Sequence, residues 1–422
     1  MEFDFWWLPG AALFFALGWL ASRRESTRQP RSDGGDQRLP QAYFRGLNFV
    51  LKEDPQQAID TFTDLVRQEP DLVELHFALG QLFRRRGETD RAIRVHQNLL
   101  QRKLLSEADR DRARFEIAQD YFKAGLYDRA DAELAQLAGT RHAAQAHALR
   151  LDIAQRLKDW RGALALLDEV PSDPGAAAPQ GHPEHAGGKA PAQGYAPPGL
   201  ALRAHLLCEL ALEHQARKDH EAALGALETA LALAPHHPRA HLALGALHQE
   251  RGQCREALAC GATILERWPA FATAIATWWL ACHSRLAAAS STPGSAEAAQ
   301  GDPIEALLRA QHSAPSAELL RQIVQAVESR DGSEAALRLA QAEVLRAPSP
   351  RSLLALLARS APSATAVEQL QAVRAFLERR TQEPDRLTCS RCGFQSTRHL
   401  WQCPGCNRWD TYPAIPAHES LR

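Results

Sequence analysis

The chain has 422 residues, 45% hydrophobic and 23% charged, which is enough for more than one domain. Forty-nine Lys and Arg against 50 Asp and Glu give a formal charge of -1, so there is no broad basic field of the kind that holds nucleic acid by charge alone. Of the 8 cysteines, four fall at the extreme C-terminal end and four are scattered over expected helices; this is not a secreted disulfide framework, and it fits a reducing compartment.

Residues Phe5 to Ala21 carry no charge and are mostly Trp, Leu, Phe, Ala and Gly. At about 1.5 Å rise per residue they span roughly 26 Å, close to the ~30 Å hydrocarbon core, with Trp6, Trp7 and Trp19 suited to the interfaces. A signal peptide would begin with basic residues, whereas Glu2 and Asp4 stand here, and no small-x-small cleavage site precedes Arg23. The segment therefore reads as an uncleaved transmembrane anchor over residues 1–22. Arg23, Arg24, Arg28, Arg31 and Arg38 follow it and no Lys or Arg precedes it, which by the positive-inside rule puts the N-terminus outside and the bulk of the chain in the cytoplasm. Residues 23–40, rich in Gly, Asp and Pro toward their end, form a juxtamembrane tether.

From residue 41 to 379 a pair of small residues twelve apart keeps returning: Gly46/Ala58, Gly80/Ala92, Ala118/Ala130, Leu151/Ala163, Ala211/Ala223, Gly245/Ala257 and, more faintly, Val324/Ala336. Phe62, Leu134, Leu167 and Leu227 recur at one offset, and Pro70, Pro235, Pro269 and Pro348 each stand twelve residues past the Ala. This pattern resembles the tetratricopeptide repeat, in which small residues let two helices approach and Pro ends the second. Two stretches interrupt it: residues 171–199 and 287–302, where Pro, Gly, Ala and Ser displace the apolar period and flexible insertions are expected. Gly187-Gly188-Lys189 lacks the remaining residues of a phosphate loop, and His182 and His185 lie in the same insertion without metal-ligand spacing. Phe271 to Leu286 reads as the first helix of another repeat, Ser329 to Ala336 as a turn with a helix start, and Ser349 to Arg379 as terminal helices. Such arrays present a surface that binds proteins. His236, His237, His241 and His248 read as packing or surface residues, Cys208, Cys254, Cys260 and Cys282 as buried thiols, and Arg84 to Arg86 either as a solvated turn or as a contact for an acidic partner.

Residues 380–422 carry the specific chemistry: Cys389-Ser-Arg-Cys392-Gly393 and Cys403-Pro404-Gly405-Cys406, ten residues apart. A two-residue gap lets both sulfurs of a turn face one ion, and two such turns complete a tetrahedral thiolate site. Gly393 can take the positive φ that tightens the first turn. The expected cofactor is one metal ion, iron or zinc, held by Cys389, Cys392, Cys403 and Cys406; all four positions being filled by protein, no open position is left for hydrolytic chemistry. Phe394, Trp401 and Trp409 would pack around the ion or against the repeats.

The expected fold is thus all-α, a tetratricopeptide-repeat array with an N-terminal transmembrane helix and a small C-terminal rubredoxin-like or zinc-ribbon domain. In this order the parts resemble the lipopolysaccharide assembly protein B (LapB) family, most closely at Leu82-Phe83-Arg84-Arg85-Arg86-Gly87-Glu88, Gly125-Leu126-Tyr127-Asp128-Arg129-Ala130 and Trp401-Gln402-Cys403-Pro404-Gly405-Cys406. The resemblance implies a single-pass protein of the bacterial inner membrane whose repeats and metal domain interact. It also implies an adaptor role, not an enzyme: presenting the lipid A-committing deacetylase to a membrane AAA+ metalloprotease, with a lipopolysaccharide-sensing membrane protein as a further partner and neither nucleic acid nor a small-molecule substrate. Two other readings of the residues stay open, a rubredoxin-type electron carrier or redox sensor, and a general membrane scaffold for envelope assembly.

Overall fold

Two helices pack as closely as the bulkiest residue at their crossing allows, and in this protein the crossings are made by the repeated alanines. A computed structural model describes residues 45–46, 48–49, 55–69, 71–169, 198–289, 302–347, 349–359, 373–375, 377–379 and 386–414. The expected anchor and tether, and nearly all of both insertions, lie outside the described residues, and among the described residues no helix is long and apolar enough to cross a membrane. The chain forms two compact units, divided between Leu126 and Tyr127.

The first unit contains α1 (Pro55–Gln68), α2 (Val73–Arg86), α3 (Thr89–Leu100) and α4 (Glu107–Lys123). The second contains α5 (Tyr127–Ala135), α6 (Ala143–Arg156), α7 (Trp160–Glu169), α8 (Pro198–Ala216), α9 (His220–Leu233), α10 (Pro238–Glu250) and α11 (Cys254–Arg267). A 3₁₀ turn, Pro269–Phe271, leads into α12 (Ala272–Ala289), α13 (Pro303–Ser313), α14 (Ala317–Asp331), α15 (Ser333–Arg346) and α16 (Pro350–Arg359), and the chain closes on two short strands, β1 (Leu387–Thr388) and β2 (Gln395–Ser396).

Ala58, Ala92, Ala130, Ala163, Ala223, Ala257 and Ala336 are all 0% exposed. The facing positions are as tight: a Cβ added at Gly46 would lie 2.8 Å from the ring of Phe62, and one at Gly245 would lie 3.1–3.2 Å from Trp278 and Cys260. Leu151, half-buried, and Val324, buried, are the exceptions, larger side chains where the other repeats put Gly or Ala. On α7 the inward position is filled by Leu166, while Leu167 is only half-buried.

Five residues before the alanine the chain turns from the first helix to the second in a left-handed conformation. Gly87, Gly125 and Gly252 stand there with φ of 86°, 77° and 77°, but Lys158 and Lys218 occupy the same point at 58° and 63°. The second helices then start on side-chain or backbone caps: Asp219 accepts from the Ala222 N–H at 3.1 Å and Asp302 from that of Ile304 at 2.9 Å.

Asp302, its Pro303 neighbour and α13 complete a repeat whose two halves are separated in the sequence. Helix α12 continues to Ala289, past the expected boundary at Ala287, and packs with α13 across the intervening residues; the Trp279 indole N–H donates to the Pro303 carbonyl at 3.2 Å. Likewise α7 and α8 pack through Leu164, Leu166, Leu202 and Leu206 although residues 170–197 separate them.

In the first unit Arg84 is committed internally, not to a solvated turn or to a partner. Its guanidinium meets Glu116 at 2.5 Å and Asp120 at 2.8 Å, and Asp120, fully buried, also meets His96 Nδ1 at 2.6 Å. Arg86 pairs with Glu88 at 2.9 Å.

A side chain in the left-handed region costs about 1–2 kcal/mol relative to the right-handed one, part of which glycine gives back through its freer unfolded chain. Lys158→Gly and Lys218→Gly are each expected to stabilise the protein by up to about 1 kcal/mol, measured by chemical denaturation. Equal or lower stability in both variants would show that the lysines are unstrained.

Candidate metal centre

The C-terminal module is made of two turns that repeat the same backbone bonds. In the first, β1 and β2 pair antiparallel, with Leu387 opposite Ser396 and Thr388 opposite Gln395. The Cys389 N–H then donates to Phe394 O at 2.9 Å, and the Gly393 N–H to Cys389 O at 3.0 Å. In the second, Gln402 is bridged to Trp409, the Cys403 N–H donates to Arg408 O at 2.8 Å, and the Asn407 N–H to Cys403 O at 2.8 Å. The fourth residue after each leading cysteine is left-handed: Gly393 at φ 75°, as its sequence position implied, and Asn407 at 57°. Asn is among the residues that tolerate this conformation, and its spacing from Cys403, matching that of Gly393 from Cys389, was the signal available for it.

These turns bring the four sulfurs together. All lie within 4.8 Å of one another, with Cys389 Sγ 3.9 Å from Cys406 Sγ and Cys392 Sγ 3.7 Å from Cys403 Sγ. Thiolates about 2.3 Å from a tetrahedral ion sit about 3.8 Å apart, so the cage has the right size for the ion as well as the right donors. Cys389 and Cys403 are buried and Cys392 is exposed. Leu387, Leu400 and Tyr412 pack around the cage, and the Tyr412 hydroxyl lies 3.5 Å from Cys403 Sγ.

The module is docked onto the first helices of the repeats in the second unit. Asn407 donates to Asp152 of α6 at 2.8 Å, and the Trp409 indole N–H to Gln155 of the same helix at 2.8 Å. Trp409 also stacks on His205 of α8 with ring centroids 4.6 Å apart, meets Trp160 edge-on at 6.4 Å, and lies under the Arg239 guanidinium at 5.5 Å. His205, 1% exposed, bonds through Nε2 to Asp410 at 2.8 Å and touches His237 edge-on. Asp410 is itself held at φ 53°. Farther along, Phe271 stacks on Trp401 at 5.2 Å and meets His399 edge-on.

Of the four histidines noted in the sixth repeat, only His237 takes part. His241 bonds to Pro235 O and His248 to Gln253. Trp401 and Trp409 pack against the repeats, whereas Phe394 is 43% exposed. Cys208, Cys254, Cys260 and Cys282 are buried free thiols, as their helical positions implied.

Residues 388–412 match the family model described as a rubredoxin metal binding domain, and residues 45–102 and 214–272 match tetratricopeptide repeat models. Over 425 residues, covering 100% of both chains, the protein is 29% identical to lipopolysaccharide assembly protein B of Escherichia coli (strain K12). It is 26% identical to the protein of the same name from Haemophilus influenzae over 442 residues and 99% of each chain. From end to end the chain is similar to the lipopolysaccharide assembly protein B family.

The sulfurs of the cage are unequal as acids. Burial pushes the Cys403 thiol up, but the Tyr412 hydroxyl and the backbone N–H groups of Cys406 and Gly405 outweigh it and bring the group down to about 6. Burial pushes Cys406 up to about 12. Since thiols bind an ion only as thiolates, metal uptake releases protons from the cluster and weakens in acid. The donors fit zinc and iron alike.

Replacing Cys403 by Ser is expected to weaken metal binding by more than the ~10–100-fold that loss of an outer hydrogen bond to a ligand costs, and to lower the melting temperature of the full chain. Metal retained against a chelator, together with an unchanged melting profile, would contradict this.

Proposed function

We propose that the protein is an inner-membrane adaptor that limits lipopolysaccharide synthesis by presenting the lipid A-committing deacetylase to a membrane AAA+ metalloprotease. Several lines support this reading. Relatives aligned from end to end carry the name lipopolysaccharide assembly protein B. Stacked helical hairpins bind proteins along their faces. The observation that carries most weight is the docked metal module: Asn407, Trp409 and Asp410 fix a rigid, four-thiolate knuckle onto α6 and α8, which is the construction of a shaped binding frame.

In this reading residues 1–22 are the anchor and residues 23–40 the tether, with the N-terminus periplasmic and the remainder cytoplasmic. Residues 41–379 form the repeat array and residues 380–422 the metal domain, in which Cys389, Cys392, Cys403 and Cys406 ligate the ion. The anchor keeps the client beside the protease and reaches the lipopolysaccharide-sensing membrane protein; the chain itself performs no reaction. Depletion of the protein in cells is expected to lengthen the half-life of the deacetylase and raise lipopolysaccharide, followed by pulse-chase and immunoblotting. An unchanged half-life sinks the adaptor reading and leaves the general envelope scaffold.

The exposure of Cys392 favours one second reading, an electron carrier or redox sensor, because electron transfer needs a metal edge near the surface. That reading requires iron-thiolate absorption in aerobically purified protein that bleaches reversibly on reduction. A colourless zinc protein that supports normal deacetylase turnover removes it.

A further inference from the structure

The four cysteines of the cage do not share one environment. Cys392 is exposed to solvent, whereas Cys403 is 0% exposed. A buried charge is costly unless hydrogen bonds reach it, so a thiolate at Cys403 must take its donors from the chain itself. Part of that supply is backbone: the N–H groups of Gly405 and Cys406 serve the Cys403 sulfur, as the Arg391 N–H serves that of Cys389 at 3.4 Å. Backbone donors belong to the turn, and any residue other than proline keeps them. A side-chain donor is a property of the residue chosen.

At Cys403 that residue is Tyr412. Its hydroxyl lies 3.5 Å from Cys403 Sγ and 3.3 Å from the carbonyl oxygen of Phe394. A phenol has a single proton and can serve only one of them well. The Phe394 carbonyl already accepts the Cys389 N–H at 2.9 Å. A metal-bound Cys403 carries negative charge, and a hydrogen bond to an ionised acceptor is about twice as strong as one between neutral groups. With the ion in place the proton therefore turns to sulfur.

The donor is also held where it is needed. Tyr412 is buried and packs with Leu387 and Leu400. The residues before it are tied on both sides: Thr411 O accepts the Ser390 N–H at 2.9 Å, and the Asp410 N–H donates to Trp401 O at 2.9 Å while its carboxylate holds His205 of α8. Partners placed in this way beyond the ligands fix the ligands and adjust the ion they hold. Phenylalanine would fill the same space and give no proton.

We infer that Tyr412 is a positioning residue of the metal centre: its hydroxyl donates to Cys403 Sγ, slows loss of the ion and raises the reduction potential of iron placed there. The ferrous form is more negative than the ferric by the electron it has gained, so a donor to sulfur stabilises it more. Zinc has no redox chemistry, and there the same bond acts on retention alone. The inference rests on the four cysteines holding an ion and is independent of the adaptor reading.

The test compares the full-length chain in detergent with its Tyr412→Phe variant, each loaded with iron for potentiometry and with zinc for release to a chelator. The variant is expected to show a lower iron potential and to release zinc about tenfold faster. In a second measurement the chain is produced with 3-fluorotyrosine in place of its 5 tyrosines. The more acidic phenol donates more strongly, so the iron potential should rise, and the rise should vanish in the Tyr412→Phe background. Metal content and melting temperature report whether the variant is folded; should it fail to hold metal, the fluorinated chain decides alone. Equal potentials in the folded pair, a potential unmoved by fluorination, or faster zinc loss at an unchanged potential would show that Tyr412 only fills space and would overturn the inference. A wild-type chain that takes up neither ion overturns the four-cysteine site itself, an outcome read from metal content alone.

Discussion

Everything in this protein depends on how near two helices can come, and that distance is fixed by one methyl group per repeat. A buried alanine at each crossing lets the backbone of the second helix lie against the first, and glycine or alanine on the opposite side removes the remaining obstacle. In the repeat that carries Leu151 in place of a small residue, Leu166 rather than Leu167 turns inward. Long connections between helices do not disturb this packing, because closing a loop costs entropy that grows only slowly with its length. That is why α12 meets α13, and α7 meets α8, across the two insertions.

The metal module obeys a second constraint. Twenty-nine or so residues cannot bury enough apolar surface to hold themselves, and among the described residues only Leu387, Leu400 and Tyr412 pack around the cysteines. Two sources of order replace a core. One is the cage of sulfurs, set at the spacing a tetrahedral ion requires. The other is the repeat surface, on which Trp409 is gripped from three sides by His205, Trp160 and Arg239. Asp410 joins them: its left-handed backbone places a carboxylate against the buried His205 ring, tying the second turn to α8.

What could be read from the sequence was whatever repeats or lies close together in it. Each alanine stands twelve residues after its partner position, the cysteines stand in two adjacent pairs, and Gly393 follows its cysteine directly, so the repeat fold, the four-sulfur cluster and one of its two left-handed residues were legible. Lys158 and Lys218 were not, because nothing in a lysine announces a positive φ. The α12–α13 repeat was hidden because the insertion separates its halves. Arg84 looked like part of an exposed basic turn until α4 supplied Glu116 and Asp120. The docking residues left no local mark at all: Asp152, Gln155 and His205 meet Asn407, Trp409 and Asp410 across more than two hundred positions of chain, and such pairings follow from packing, not from pattern.

That separation has a consequence for synthesis. Helices α6 to α8 leave the ribosome long before the turns that cover them, so the rings of His205 and Trp160 meet Trp409 only late in synthesis. A chain halted before residue 401 would therefore present to its surroundings an aromatic surface that the folded protein hides beneath Trp409 and Asp410.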